Sequence, residues 1–132
     1  VICHGVTLAE TRQGKRVLET SHPPTYYFPG RDVKQDYLEA TVQEGLCEWK
    51  GIYQFYDVRV GSKGILRAAW RCIKTTPDFL ALQDHYAFYP ALMDACYVDD
   101  ERVIPQPGNF YGGWITSEIV GPFKGGPGTW GW

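Results

Sequence analysis

The chain has 132 residues, with 13 basic and 15 acidic side chains for a formal charge of −2. That length is one domain, and the lack of a basic excess argues against nucleic acid as a partner. No run approaches the ~18 consecutive apolar residues of a membrane helix. The 15% aromatics, 15 glycines and 9 prolines point to many short strands joined by turns.

Residues 1–18 read as one hairpin, with Ile2, Val6 and Leu8 facing Val17 and Leu18 across a polar turn at residues 12–15. His22-Pro23-Pro24 breaks it, because two prolines fix φ and remove two donors. Residues 25–28 form a short strand stopped by Pro29-Gly30, and residues 31–40 read as one or two helical turns. The clearest element spans residues 52–60 and 65–73 around Gly61-Ser62-Lys63-Gly64, a hairpin signal. Facing Val60 with Ile65 pairs Phe55 with Trp70 and Tyr53 with Cys72, and adds Leu66 and Ala68 to the same face. The other face is mixed, with Tyr56, Val58, Arg67, Ala69 and Arg71. Residues 77–83 are the best helix, with Thr76 as N-cap and Pro77 at the first helical position. Residues 85–89 form an aromatic strand, Asp99-Asp100-Glu101 a further hairpin turn, and Trp114-Ile115-Thr116 a last strand. Residues 1–120 are therefore expected as one β domain, and residues 121–132 as a Gly/Pro-rich arm packing on it through Trp130 and Trp132.

Cys3, Cys47, Cys72 and Cys96 stand alone, with no CxxC pair. They fit reduced, mostly buried thiols better than a disulfide scaffold or a zinc site, which needs a close ligand pair. The first residues lack the basic and apolar stretches of a signal peptide. A cytoplasmic protein with no metal and no cofactor is the expectation.

Several strings occur in order: Glu19-Thr20 with Tyr27-Phe28-Pro29 and Asp32-Val33; Cys47-Glu48-Trp49-Lys50-Gly51 with Tyr53; Ala68-Ala69-Trp70; Tyr86-Ala87-Phe88-Tyr89; and Gly112-Gly113-Trp114 with the glycine-rich tail from Gly121. From about Val6 to the C-terminus the chain resembles the domain-of-unknown-function 427 family. The resemblance implies a mainly β, single compact domain of the β-tent type, made of short antiparallel strands with one or two short helices. That architecture is shared with methionine-R-sulfoxide reductases and zinc-bearing exchange-factor-like proteins. Their zinc is held by paired CxxC motifs, which this chain lacks, so neither metal nor sulfoxide reduction is carried over. The family's nucleotidyltransferase-like label would need a strand-borne carboxylate pair for Mg²⁺ after a Gly-Ser turn. Asp99-Asp100 falls in a turn, and Gly61-Ser62 has no such pair downstream.

Candidate chemistry gathers near the strongest hairpin. Lys50, three residues after Cys47, stands at the edge of the Phe55/Trp70 slab, where desolvation would lower its pKa and make it a base or Schiff-base former; the structural alternative is a snorkelling lysine. Glu19 and His22, three apart in a stiff loop, could share a proton. Tyr27, Tyr53, Tyr56 and Tyr86 offer phenol donors, or are half-buried strand tyrosines. Trp70 is either core or ligand wall. The tail's Lys124 is not followed as a P-loop requires, so phosphate binding is not expected. The expected function is a small-molecule pocket with modest acid/base chemistry of isomerase, cyclase or hydrolase type. Lys50, Glu19 and Tyr53 are its catalytic candidates, and Tyr27, Phe55, Trp70 and Tyr86 its ligand wall. The alternatives are a protein-interaction or homodimerisation module and the family's nucleotidyltransferase-like activity.

Overall fold

The structure, a computed structural model, describes residues 1–19, 22–47, 50–108, 111–119 and 121. It is mainly β. In chain order the strands are β1 (Ile2–Cys3), β2 (Val6–Thr7), β3 (Lys15–Val17), β4 (Thr25–Tyr27), β5 (Leu38–Cys47), β6 (Gly51–Val60), β7 (Lys63–Thr75), β8 (Tyr86–Phe88), β9 (Tyr97–Val98), β10 (Glu101–Arg102), β11 (Ile104–Pro105) and β12 (Trp114–Ile115). An antiparallel sheet ordered β5-β6-β7-β8 carries the molecule, and among the described residues four two-stranded ribbons accompany it.

The β6–β7 hairpin turns at Gly61-Ser62, with Gly61 at φ +60°. A two-residue turn of this kind places a glycine first. Val60 therefore faces Lys63, not Ile65, while Phe55 still faces Trp70 and Tyr53 faces Cys72. A bulge between Tyr56 and Val58 reconciles the two registers, with Arg67 at φ +52° and its N–H on the Asp57 carboxylate at 2.9 Å. The bulge corrects the expected faces. Leu66 is turned out to solvent, and Ala68 joins Ala69 in the main core instead of the Phe55/Trp70 face.

The sheet is covered on both sides. On one, Tyr56, Val58 and Ala69 meet Leu8, Phe28, Phe88 and Trp114; the Trp114 indole N–H donates to the Phe88 carbonyl at 3.3 Å. On the other, Phe55, Trp70 and Cys72 meet Tyr27, Leu82 and Ala87. Strand alternation sorts β8, sending Tyr86 and Phe88 to the first side and Ala87 to the second. The β3–β4 ribbon joins the free edge of β8 through Phe28 and Tyr86, which exchange backbone hydrogen bonds of 2.7 and 2.9 Å. Tyr27, one residue earlier, therefore points to the second side.

Other elements differ from expectation. The first ribbon is β1–β2, turning at His4 and Gly5, both at positive φ; β3 leaves it to pair with β4. The Asp94 carboxylate accepts the Gly5 N–H at 3.0 Å and holds that turn. Residues 31–40 contain 3-10 turns at Gly30–Asp32 and Gln35–Tyr37, after which β5 has begun. The helix at Pro77–Leu82 is a kinked 3-10 helix, and Thr76 stands at its N-cap without a capping hydrogen bond from its side chain to the helix. Apart from Gly121, the expected C-terminal arm, including Trp130 and Trp132, lies outside the described residues. Among the described residues no helix is long and apolar enough to cross a membrane.

Candidate functional site

The Phe55/Trp70 side of the sheet is not filled. A cavity of about 270 Å³ opens there. Its floor is Tyr53, Trp70 and Cys72 from β6 and β7, and one wall is Tyr27 with Val17 from the β3–β4 ribbon. Cys47 and Lys50 close one end, the loop carrying Glu19 and His22 another, and Gln106, Tyr111 and Gly112 a third.

Local backbone demands place these groups. Gly51 sits at φ +114°, and a Cβ there would lie 2.0 Å from the Lys74 carbonyl oxygen. Only glycine lets β6 start so close to β7. The preceding residue, Lys50, accepts the Thr76 N–H on its carbonyl at 2.9 Å and projects its side chain to the cavity. Gly112 allows a similar approach, since a Cβ would meet the Trp70 ring at 2.6 Å. The rings interlock around the space: Trp70 lies 4.8 Å from Tyr89 and 6.1 Å, edge-on, from Tyr27.

The Lys50 ammonium is 2.6 Å from the Glu19 carboxylate, and its side chain is 18% exposed. Burial alone would lower its pKa, as expected from the sequence. The Tyr27 oxygen and the Glu19 carboxylate outweigh that and hold it above the ordinary lysine range. Lys50 is thus an ammonium at neutral pH, which corrects its reading as a neutral base or Schiff-base former. Burial pushes the Tyr27 phenol up to about 12, against the opposing pull of the Lys50 charge. Burial likewise pushes the Cys72 thiol up to about 11. The chemistry on offer at neutral pH is hydrogen-bond donation by an ammonium and a protonated phenol.

Of the seven residues singled out from the sequence, Lys50, Glu19, Tyr53, Tyr27 and Trp70 line this cavity. Phe55 stands just behind it, edge-on to Tyr53 at 5.4 Å and covered by the Arg67 guanidinium at 4.3 Å. Tyr86 belongs to the opposite side of the sheet, where it packs on Tyr56 and its hydroxyl donates to Gln35 at 3.2 Å. Tyr56 is with it, within 3.4 Å of Arg71. The Glu19 carboxylate pairs with Lys50. His22 instead accepts from the Gln106 amide at 3.1 Å, with its ring edge-on to Tyr111 at 4.6 Å. Gln106, Tyr111 and Tyr89 were not foreseen; they come from segments whose packing on β7 leaves no local sequence signal. All four cysteines are free thiols, and Cys3, Cys72 and Cys96 are buried. Among the described residues no three His, Cys, Asp or Glu side chains converge as metal ligands. A wider groove of about 930 Å³ lies on the far side, between the N-terminal ribbon and the Asp99-Asp100 turn, lined by Tyr26 and Trp114.

A family profile described as a domain of unknown function (DUF427) matches residues 1–99. Among curated proteins no match to the chain was found. The matched span holds Glu19, Tyr27, Lys50, Tyr53 and Trp70. The Gly112-Gly113-Trp114 string and the tail, which entered the resemblance, lie beyond it. With that share of its length matched, the chain belongs to the DUF427 family.

Proposed function

We propose that this domain binds a small molecule in the cavity between the β3–β4 ribbon and the β6–β7 hairpin. The observation that carries this reading is a space lined by Tyr27, Tyr53, Trp70, Tyr89 and Tyr111 together with the half-buried Lys50 ammonium. Concave, mostly apolar sites with a few placed polar groups are the usual binding design, and ~300–1,000 Å³ is their common range. At about 270 Å³ this one suits a ligand of one or two rings. In an acid/base reaction of isomerase, cyclase or hydrolase type, Lys50 would hold the substrate oxygen, Glu19 would act as base, and the Tyr53 hydroxyl would position the substrate.

A thermal-shift screen against metabolites tests the reading. A ligand at 100 times its Kd stabilises by about 2.7 kcal/mol, several degrees for a domain of this size. The expected hit loses its shift in Lys50→Met and keeps part of it in Tyr53→Phe. A hit that shifts Lys50→Met as much as the parent chain would place its site elsewhere.

Self-association through β5 is a second reading. It is favoured by Val42 and Leu46, which stand exposed on that strand at the edge of the sheet. Light scattering tests it: a monomer at high protein concentration removes it.

A further inference from the structure

We propose that the Tyr27 hydroxyl and the Lys50 ammonium form a paired donor site for a ligand oxygen that carries or develops negative charge. The ligand would be a carbonyl, enolate or phenolate on a planar conjugated frame. The proposal rests on the cavity reading above and names its ligand class.

The argument is one of counting donors. Tyr27 is 1% exposed, and its ring enters the cavity because strand alternation sends Tyr26 and Phe28 to the other side of the sheet. Its hydroxyl feels the Lys50 charge, and both residues line the cavity. A phenol has two lone pairs and one O–H. Among the described residues no hydrogen bond from the Tyr27 hydroxyl to an acceptor is found, so its O–H is unspent. Lys50 has three N–H donors. Glu19 takes one at 2.6 Å, which leaves two without a partner among the described residues. Unspent donors of both residues therefore line one cavity. There they act on a ligand oxygen more strongly than in bulk solvent.

Charge selects the kind of oxygen. Glu19 already balances Lys50. A carboxylate or phosphate would bring a second full negative charge beside the Glu19 carboxylate, whereas an oxygen whose charge is delocalised into a ring system would not. The flat walls of Trp70, Tyr53 and Tyr89 suit such a frame.

The test uses the full chain and naphthol as probe, with naphthoate and naphthalene as comparators. On binding, the naphthol O–H bond breaks, its electron pair stays on oxygen and its proton passes to the buffer; absorbance reads the naphtholate formed. The expected result is naphthol bound in part as naphtholate at neutral pH, where free naphthol is protonated. Tyr27→Phe and Lys50→Met should each weaken binding by about tenfold or more, the size of one charge-assisted hydrogen bond, and abolish the naphtholate signal. Tyr26→Phe, on the opposite side of the sheet, should change neither. Should Lys50→Met not fold, Tyr27→Phe decides alone, since it removes only one oxygen. Naphthol bound fully protonated, and equally well by Tyr27→Phe, overturns the donor pair while leaving the cavity reading intact. Naphthoate bound more tightly than naphthol overturns the ligand class. Failure of all three probes to bind counts against both readings.

Discussion

At the scale of single residues, the accessible thiol is the sharpest expectation. Cys47 is half-buried at the cavity end, whereas Cys3, Cys72 and Cys96 are at most 4% exposed. Alkylation of the folded protein should therefore place its first adduct on Cys47. Cys3 and Cys96, away from the cavity, should react only through opening of the fold, at rates orders of magnitude lower. Peptide mapping by mass spectrometry checks this, and comparable labelling of Cys3 or Cys96 would contradict the burial pattern. The position of Lys50 was legible in the sequence, because it directly precedes the glycine that opens the strongest hairpin strand. Its charge state was not. Burial is a local inference from an aromatic neighbourhood, but the Glu19 carboxylate that opposes it comes from 31 residues away. Desolvation by itself would have favoured the neutral amine, and the ion pair reverses the sign.

At the scale of elements, two glycines distinguish a turn from a close approach. Gly61 at φ +60° has open space where a Cβ would go, whereas a Cβ on Gly51 would lie 2.0 Å from a backbone oxygen. Gly61→Ala should cost about 1 kcal/mol, the penalty of a left-handed backbone. Gly51→Ala should cost about 3 kcal/mol or more, because the strand itself must shift. Urea denaturation of the two variants checks the difference, and equal losses would mean that β6 can move off β7 freely. The β6–β7 hairpin was readable because Gly61-Ser62 is a strong turn signal between two apolar runs. β5 was not, since most of its side chains are exposed. A strand solvated on both faces has no alternation to betray it. The bulge at residues 40–44, where the Thr41 hydroxyl accepts the Gln43 N–H at 3.0 Å, blurs its period further.

At the scale of the whole molecule, the two covered sides of the sheet give a common alkaline limit. Burial pushes Cys72 up to about 11 and Cys96 to about 12 from an ordinary 9.0, and Tyr27 to about 12 from 10.0. Each group is raised on folding, so its contribution is complete below the unfolded value and is lost as pH rises through the folded one. Stability should hold from neutral pH to about 9 and then fall progressively toward 12, by about 1.4 kcal/mol for each pH unit through which one buried group is held neutral. Unfolding midpoints measured across that range check this, and a midpoint unchanged at pH 11 would mean that these groups ionise freely in the native state.

What the amino-acid sequence determined by itself is the local part: a mainly β chain, the hairpin that sets Phe55 against Trp70 and Tyr53 against Cys72, the aromatic strand at Tyr86–Phe88, and a lysine beside the slab. Each follows from turn chemistry and side-chain alternation within a few residues. Only the tertiary structure decided which side each ring serves. It put Tyr86 with Tyr56 and away from Tyr27, moved Ala68 through a bulge, and brought Glu19, His22, Gln106 and Tyr111 around one space. These outcomes depend on contacts between segments far apart in the chain, and neither periodicity nor spacing carries information about such contacts.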